Sequence, residues 1–438
     1  MFPLQKEILE RNLNNLEIPD ITSATIRQIS ALAAKLEGEA EEEIVHLEIG
    51  NPGLPSESVG VEAEIEALRN GVANKYPNIA GIPELKVNGA KFIKAFLDVD
   101  VDPKGIVPTV GSMQGSFTLM LLLKMRIPGK NTILMLYPGF PAQRHQAKLL
   151  GMNLEGFDIY NFRGKKLEAK LEEYFSTGKI TSIIYSNPNN PAWTNLTDEE
   201  LEIIGRLASK YDVIVMEDLA YMGMDFRQDF GHPCEPPYIP TVAKYTDNYI
   251  LLLSASKIFS YAGQRIAMVC MSSQVYERHY ETLEKFFEMP KFGDAYIFGV
   301  LYCASSGTTH SSQYAMAKML GDAAEGKLEF VNHCSEYGRR AAIIKRMLAD
   351  NGFELVYGMD GDSEISDGFF MTAKYGDMSS EELQKELLRY GIATISLPST
   401  GSLQNGVRIT VSMISDPHQF DLLEQRLQKF HHEHSPVS

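Results

Sequence analysis

Short apolar runs bounded by turn residues recur through the middle of the chain. The segments between most of them have helical periodicity; in residues 198–211, for example, Leu201, Ile204 and Leu207 fall on one face of a helix. Continuous apolar strands that alternate with amphipathic helices are typical of a parallel sheet covered on both sides. The pattern therefore predicts an α/β domain whose strands include residues 131–138, 181–188, 212–218, 249–256 and 265–271.

The pattern changes after about residue 315. A long helical stretch around residues 339–349 is followed by short apolar runs, a second helix at residues 379–390, further short runs and a last amphipathic helix. This mixture predicts a smaller α+β domain. We expect the large domain to span residues 50–315, and the small domain to combine residues 1–49 with residues 316–438.

Length and charge narrow the possible functions. At 438 residues the chain is long enough for two or three folding units. The formal net charge of −16 repels phosphate backbones and anionic membrane surfaces, so nucleic acid is not expected as a partner. No stretch reaches the ~20 apolar residues of a membrane span, and the first residues lack the pattern of a secretory signal. The four cysteines show no CxxC pair or metal-ligand spacing, so we expect reduced thiols, no bound metal and a cytoplasmic location.

The segment SASKIFSYAGQRIAM places Lys257 directly after an apolar run and Arg265 soon after it. A lysine at the end of a strand is most often solvent-facing. Here Ser254 and Ser256 flank the lysine, and two serines with an arginine can hold a phosphate group. A lysine beside a phosphate site is what the aldehyde of pyridoxal 5'-phosphate (PLP) requires. Lys257 is therefore predicted to form a Schiff base with that cofactor.

Two acidic residues end the apolar run at residues 212–218, in the segment EDLAYMGMDF. Ligands bind outside the carboxyl ends of the strands in open α/β sheets. We expect Glu217 to cap the following turn. Asp218 suits a catalytic role, because a carboxylate beside a pyridine nitrogen keeps that nitrogen protonated. Tyr221 is placed to hydrogen-bond the hydroxyl group of the same ring.

Two further turns follow apolar runs. In YSNPNNPAW, Asn190 could donate a hydrogen bond to the ring oxygen opposite Tyr221. In TVGSMQGSF, a turn containing Ser112 and Met113 leads into a helix expected to begin near Gln114, and backbone N–H groups at such a helix start bind phosphate. Each turn is a weak signal alone, and the second does not match the P-loop of nucleotide hydrolases.

Taken in order, these segments resemble the class I/II aminotransferases, PLP enzymes of fold type I, and lie nearest the branch that includes bacterial aspartate aminotransferases. The similarity runs from about Ile21 to about Leu427. In the family an NPxNP turn, a DxAY element, an SxxK lysine and an arginine occur in this order, as they do here. The resemblance implies a large domain with a mostly parallel seven-stranded sheet flanked by helices, plus a smaller α+β domain. It also implies a PLP-dependent enzyme that moves the amino group of an L-amino acid to a 2-oxo acid.

The resemblance assigns roles to four more residues. Gly50, in LEIGNPGLPS, would lie beside the substrate carboxylate, and Arg408, in GVRITVS, would hold that carboxylate together with Asn190. Phe140, in LYPGFPAQRHQA, would stack on the pyridine ring. Tyr76, in KYPNIAGIPELK, would reach the cofactor phosphate of a neighbouring subunit, which implies a homodimer. Without the family, Tyr76 and Phe140 would be interpreted as core aromatics.

Two other functions stay open on the same fold. A β-eliminating lyase of the C–S lyase type would use the same residues, because pocket geometry decides which bond breaks. A non-enzymatic PLP-binding regulator would need a DNA-binding helix-turn-helix. The acidic chain shows no basic recognition helix, so the regulator ranks last.

The substrate side chain is left open by departures from the family pattern. Ala192 and Trp193 replace the usual threonine and glycine after the asparagine turn, and Gln264 precedes Arg265 where tryptophan is common. An acidic substrate would need a second cation, for which the candidates are Arg144, Lys291 and Lys374. An apolar or aromatic substrate would suit Tyr261, Tyr296, Phe286 and Phe287.

Overall fold

The protein is described by a computed structural model over residues 2–435. Its strands are β1 Val45–His46, β2 Ile106–Thr109, β3 Thr132–Tyr137, β4 Asn153–Asp158, β5 Ile180–Ser186, β6 Ile214–Asp218, β7 Tyr249–Ser254, β8 Ala267–Met271, β9 Phe353–Leu355, β10 Met359–Asp360, β11 Ser363–Glu364, β12 Phe370–Tyr375, β13 Ile392–Ala393, β14 Ile395–Ser396 and β15 Val407–Thr410. Its helices are α1 Lys6–Asn15, α2 Ile26–Ala40, α3 Ser58–Arg69, α4 Pro83–Leu97, α5 Gly111–Arg126, α6 Pro141–Leu149, α7 Lys166–Phe175, α8 Asp198–Tyr211, α9 Ala255–Ile258, α10 Ser273–Glu277, α11 Glu281–Phe287, α12 Phe292–Asp294, α13 Tyr302–Ser305, α14 His310–Ala324, α15 Phe330–Asp350, α16 Ser380–Arg389 and α17 Pro417–His434.

The largest sheet has seven strands in the order β2-β8-β7-β6-β5-β3-β4. Strand β8 is antiparallel to β2 and β7, and the other neighbours are parallel. This confirms the predicted mostly parallel seven-stranded sheet. The five apolar runs correspond to β3, β5, β6, β7 and β8. The pattern missed both edge strands, since β4 is only partly buried and β2 has just four residues.

The central strands are apolar throughout because both faces of the sheet are covered. All residues of β5, β6 and β7 are buried. Along β5, Ile183 and Tyr185 belong to one apolar core, whereas Ile184 belongs to the core on the opposite face. Helix α8 begins with a capping box in which Thr197 and Glu200 satisfy each other's backbone N–H groups, and its apolar face joins the first core.

A second sheet lies in the C-terminal part of the chain. Its four antiparallel strands have the order β14-β15-β12-β9. The N-terminal segment contacts this part of the chain, because β1 pairs in parallel with β13, Val45 opposite Ile392. The predicted domain boundaries at residues 50 and 315 stay a prediction.

The sheet topology positions the candidate site. In the parallel register, Ser186 of β5 lies beside Asp218 of β6, which lies beside Leu252 of β7. The turns after these three strands therefore meet at one edge of the sheet. Over residues 2–435, no helix is both long and apolar enough to cross a membrane, and no group of three or more metal-ligating side chains is found.

Candidate active site

Lys257 lies in the single turn of helix α9, which begins where β7 ends. The hydroxyl group of Ser254 caps this turn by accepting a hydrogen bond from the backbone N–H of Ser256, at 3.1 Å. The Lys257 ammonium donates to the backbone carbonyl of Gly50. The end of a buried strand and a local cap thus fix the base of the lysine, while its amine faces the loop that contains Gly50.

The electrostatic environment of Lys257 favours the neutral amine. Burial lowers the pKa of Lys257 to about 7, and the charges of Arg408 and Arg265 act in the same direction. An amine with this pKa is partly deprotonated at neutral pH. It can therefore act as a nucleophile or accept a proton, which an ordinary lysine does poorly.

Asp218 is buried at the carboxyl end of β6. Its carboxylate accepts hydrogen bonds from Gln143 Nε2 at 3.0 Å and from the backbone N–H of Ala220 at 3.2 Å. Burial raises the pKa of Asp218 to about 6, although both hydrogen bonds lower it. A cationic group beside Asp218 would favour its ionised form.

Glu217 faces the opposite side of the sheet from Asp218, because side chains alternate along a strand. It accepts hydrogen bonds from the Thr241 hydroxyl group and the Val242 N–H, and burial raises the pKa of Glu217 to about 7. The prediction that Glu217 caps the following turn is wrong. Its carboxylate instead binds the start of the short helical turn at residues 242–244, whose N-cap is Thr241.

Arg408 lies on β15 and is buried. One guanidinium nitrogen donates to Asn190 Oδ1 at 3.3 Å, a second donates to the backbone carbonyl of Glu48, and the guanidinium carbon lies 4.8 Å from the Phe370 ring centroid. Its buried Nε has no hydrogen-bond partner within residues 2–435. Burial lowers the pKa of Arg408 to about 10, so the residue is still a cation at neutral pH. An unsatisfied buried donor on a cation suits a bound anion.

Trp193 forms the back wall of the site. It is fully buried with a φ of 65°, and its ring centroid lies 5.7 Å from that of Tyr221 and 6.1 Å from that of Phe370. A Cβ atom at Gly368 would overlap the indole. Trp193 therefore packs behind the site and supports Tyr221 and Phe370.

The first turn of α5 faces Arg265 across the cleft. Helix α5 begins at Gly111, earlier than the predicted start near Gln114. Gly111 has a φ of 67°, which glycine adopts readily, and a Cβ atom there would also meet the Arg265 guanidinium. The buried Ser112 hydroxyl group has no hydrogen-bond partner within residues 2–435. A free hydroxyl group, a helix N-terminus and an arginine together fit a phosphate group.

Two adjoining cavities run along these residues, with volumes of about 530 and 410 Å³. The first is lined by ten of the predicted site residues: Ser112, Met113, Phe140, Asn190, Asp218, Tyr221, Ser254, Ser256, Lys257 and Arg265. The second adds Gly50 and Arg408. Tyr76 lines neither cavity and is 91% exposed. One chain therefore brings together every predicted site residue except Tyr76.

Two residues that line the cavities, Gln143 and Arg27, were not predicted from the sequence. Gln143 carries a hydrogen bond to Asp218, and Arg27 lines both cavities from the start of α2. Neither position has a sequence signal of its own. Gln143 is a polar residue in an amphipathic helix, and Arg27 resembles any exposed cation on such a helix.

The residues predicted to select a substrate side chain do not line either cavity. Arg144 donates to the backbone carbonyl of Ser399, while Lys291 pairs with Glu277 and Lys374 pairs with Glu354. The three candidate cations thus lie outside both cavities, and the buried Arg144 Nε has no hydrogen-bond partner within residues 2–435.

The aromatic candidates are also engaged elsewhere. Tyr261 donates to Glu64, and Tyr296 hydrogen-bonds Thr118 inside the core. Phe286 is 69% exposed and packs on Phe287, also outside the cavities. The four aromatic candidates therefore lie outside both cavities.

Comparison with known proteins identifies the family of the chain. The family model for aminotransferase class I and II matches residues 42–419. This chain belongs to that family. The aminotransferase accordingly uses PLP, and its reaction is a transamination with amino acids as substrates.

Curated relatives extend the similarity over most of this aminotransferase. A probable aspartate aminotransferase of Methanocaldococcus jannaschii is 23% identical over 88% of this chain and 91% of its own length. An aromatic-amino-acid aminotransferase of Thermococcus litoralis is 27% identical over 77% of this chain and 78% of its own length. The names of these two relatives thus point to different substrates.

Solved structures share the fold. An aspartate aminotransferase double mutant of Thermus thermophilus covers 96% of this chain and 98% of its own, with a TM-score of 0.76 and 18% identity. An aspartate aminotransferase of Thermotoga maritima covers 96% and 99%, with a TM-score of 0.73 and 21% identity. The predicted PLP fold type I is therefore confirmed.

Proposed function

We propose that this aminotransferase transfers the amino group of an L-amino acid to a 2-oxo acid, and that Lys257 is the residue that moves the proton. The observation that carries the proposal is the low pKa of the Lys257 amine, about 7, in the cavity that Asp218 and Arg265 also line. A neutral amine at this point can bind the cofactor aldehyde and later accept a proton.

The first cavity fits PLP. When bound, PLP supplies an aldehyde for the amino group and a ring that accepts electrons. Asp218 would face the ring nitrogen, where a positive charge would offset the cost of burying the carboxylate. The unsatisfied Ser112 hydroxyl group supports a phosphate site at the other end of the cavity. The cofactor-binding residues proposed with these two are Met113, Phe140, Asn190, Tyr221, Ser254, Ser256, Lys257 and Arg265.

The second cavity would hold the substrate. Arg408 would bind the α-carboxylate, since its Nε is a buried donor without a partner within residues 2–435. Asn190 would orient that arginine through its 3.3 Å hydrogen bond, and Gly50 would leave room for the carboxylate. The Lys257 amine would then accept the proton from the substrate Cα atom and release it at a later step.

We also propose a homodimer in which Tyr76 reaches the cofactor phosphate of a neighbouring subunit. Its 91% exposure supports this role, because a tyrosine ring fully open to water is an unusual resting state for one chain. The exposed apolar side chains Leu68, Phe298 and Tyr302 offer further surface for a partner. Mixing Tyr76→Phe with Lys257→Ala subunits tests this directly, because a hybrid dimer would regain one intact site and therefore activity.

The cell compartment and the domain boundaries are proposals of the same kind. The four cysteines are free, and burial raises the pKa of Cys270, so reduced thiols and a cytoplasmic location fit the chain. We propose residues 50–315 as the large domain and residues 1–49 with 316–438 as the small one. Cell fractionation and limited proteolysis test these two proposals.

The experiment that tests the proposed function is a panel of single L-amino acids added to the PLP-loaded protein, with 2-oxo acid and ammonia measured. Transamination predicts one 2-oxo acid per active site without free ammonia, and continued turnover only when a second 2-oxo acid is present. Pyruvate and ammonia formed continuously from one amino acid would contradict it and indicate β-elimination instead.

A further inference from the structure

The cavities contain one more positive charge than the proposed function uses. Within residues 2–435, the charged side chains that line them are Arg27, Lys257, Arg265, Arg408 and Asp218. This excess of cations occurs in a chain whose formal net charge is −16. The proposed function gives a role to every one of these charged residues except Arg27.

Arg27 has no counter-charge of its own. It is the second residue of helix α2 and is exposed, and its guanidinium makes no hydrogen bond or ion pair with any other part of residues 2–435. Helical ion pairs join residues three or four positions apart, and these positions hold Ser23, Ala24, Ser30 and Ala31. A cation that lines a ligand cavity without a protein partner is available to a ligand anion.

Apolar side chains line the cavity that holds both Arg27 and Arg408. The cavity that Arg27 shares with Arg408 is walled by Ile26, Ile49 and Phe370, with Ile395 close by. These side chains cannot hydrogen-bond a polar substrate stem, but they can cover methylene groups. The cavity therefore combines two arginines with apolar side chains that can cover the stem of a substrate.

We propose that Arg27 is a specificity-determining residue that binds an anionic group on the substrate side chain, so that the amino donor is an acidic L-amino acid. This inference rests on the proposed function, because it places the substrate in the cavity beside Arg408. It assigns to helix α2 a role for which Arg144, Lys291 and Lys374 are not placed, since none of these three lines either cavity.

The test measures binding of unreactive acids to the PLP-loaded protein by calorimetry. Succinate, glutarate and adipate are compared with the monocarboxylic acids of equal carbon number, which lack only the second anionic group. We expect at least one dicarboxylate to bind about 10- to 100-fold more tightly than its monocarboxylate, the range of one charge-assisted hydrogen-bonded pair. Equal affinity within every pair would overturn the inference.

Variants decide whether Arg27 causes the preference. Arg27→Gln should abolish it, and Arg27→Lys should keep part of it, because the charge remains but the planar fork of donors is lost. Lys35→Gln, at an exposed lysine of the same helix outside both cavities, should retain the full preference. His145 lines the same cavity and is the other side chain that could bind a second anionic group, so His145→Gln is a further control. If Arg27 binds that group, His145→Gln should also retain the full preference. A preference that survives Arg27→Gln, or disappears with His145→Gln, would refute the assignment.

The amino-acid panel separates failure of this inference from failure of the proposed function. If the protein converts neutral amino acids to 2-oxo acids and shows no dicarboxylate preference, only the role of Arg27 is lost. If it converts no amino acid at all, the proposed function fails as well. Arg27→Gln should lower the apparent affinity for acidic donors and leave that for neutral ones unchanged.

Discussion

The cofactor half of the cleft, formed by Ser112, Asp218, Lys257 and Arg265, differs from the substrate half in how the chain builds it. Asp218 and Lys257 end or directly follow strands of the seven-stranded sheet, and Ser112 and Arg265 adjoin the strands β2 and β8 of the same sheet. One sheet therefore positions all four groups. Polar residues at strand ends are positioned by the sheet itself. We therefore expect their positions to be kept when residues in other parts of the molecule are changed.

The substrate half, formed by Arg27, Gly50, Phe370 and Arg408 with Trp193 packed behind it, comes from distant parts of the chain. Arg408 donates to a backbone carbonyl 360 residues away, and Trp193 contacts Phe370 of the second sheet. These groups are held by packing between segments and not by one element. We therefore expect substitutions in the cofactor half to lower the rate of the reaction. Substitutions in the substrate half should instead lower substrate affinity and protein stability.

The largest effect should follow the loss of the lysine in the cofactor half. Lys257→Ala should lower the transamination rate by about 1000-fold or more, because general acid–base catalysis alone contributes 10²–10⁴-fold. Lys257→Arg should not rescue it, since a guanidinium does not lose its proton in proteins. Turnover with a saturating amino donor measures this, and Lys35→Ala serves as the control. A Lys257→Ala protein that keeps wild-type turnover would contradict the proposed role.

The next effect concerns the arginine of the substrate half. Arg408→Gln should raise the KM for the amino donor by about 30-fold or more, because truncating a buried charge pair costs about 2–5 kcal/mol. The visible spectrum of bound PLP should change little, since the cofactor half is intact. Steady-state kinetics and the spectrum together test this prediction. A large loss of bound PLP in this variant would show that the two halves are not separable.

A smaller effect is expected from the contact between Trp193 and Gly368. Gly368→Ala should reduce the free energy of unfolding by about 1–3 kcal/mol, because the added methyl group overlaps the indole. Combining it with Trp193→Phe should cost less than the two single changes together, since the smaller ring leaves space. Urea denaturation measures all three variants, and Gly38→Ala, where a Cβ atom meets nothing within 4 Å, is the control. Strictly additive losses would argue against this contact.

The smallest effect concerns pH. The pKa of Lys257 is lowered to about 7, so the neutral, nucleophilic amine is scarce below that pH and predominates above it. The rate at which PLP combines with the cofactor-free protein should therefore rise about tenfold from pH 6 to pH 8. Pyridoxamine 5'-phosphate carries the same phosphate but no aldehyde, so its binding should show less pH dependence. A PLP rate that is flat across this range would contradict the assigned pKa.

The contrast between the halves also explains what could be predicted from sequence. Asp218 and Lys257 lie at the ends of continuous apolar runs. The apolar runs and the turn residues that bound them therefore predicted both the strands and the site. The edge strand β4 was not predicted because it is only partly buried, so its sequence has no continuous apolar run.

The substrate half was harder because its residues have no local pattern. Trp193 could be seen as a departure, but its position behind Tyr221 depends on Gly368, which is far away in sequence. Arg27 is one exposed cation among many until the fold places it beside the cavities. The sequence could not choose among the candidates Arg144, Lys291 and Lys374 for the same reason, since tertiary contacts decide which cations line a cavity, and none of these three does.

The most direct test of the account is to identify the lysine that carries the cofactor. Reducing the PLP-loaded protein with borohydride fixes the cofactor to its lysine, and peptide mapping by mass spectrometry then locates the label. We expect one pyridoxyl group per chain on Lys257, in a peptide that contains the segment SASKIFSYAGQRIAM. A label on any other lysine, or no label at all, would contradict the central claim that this strand end holds the reactive amine.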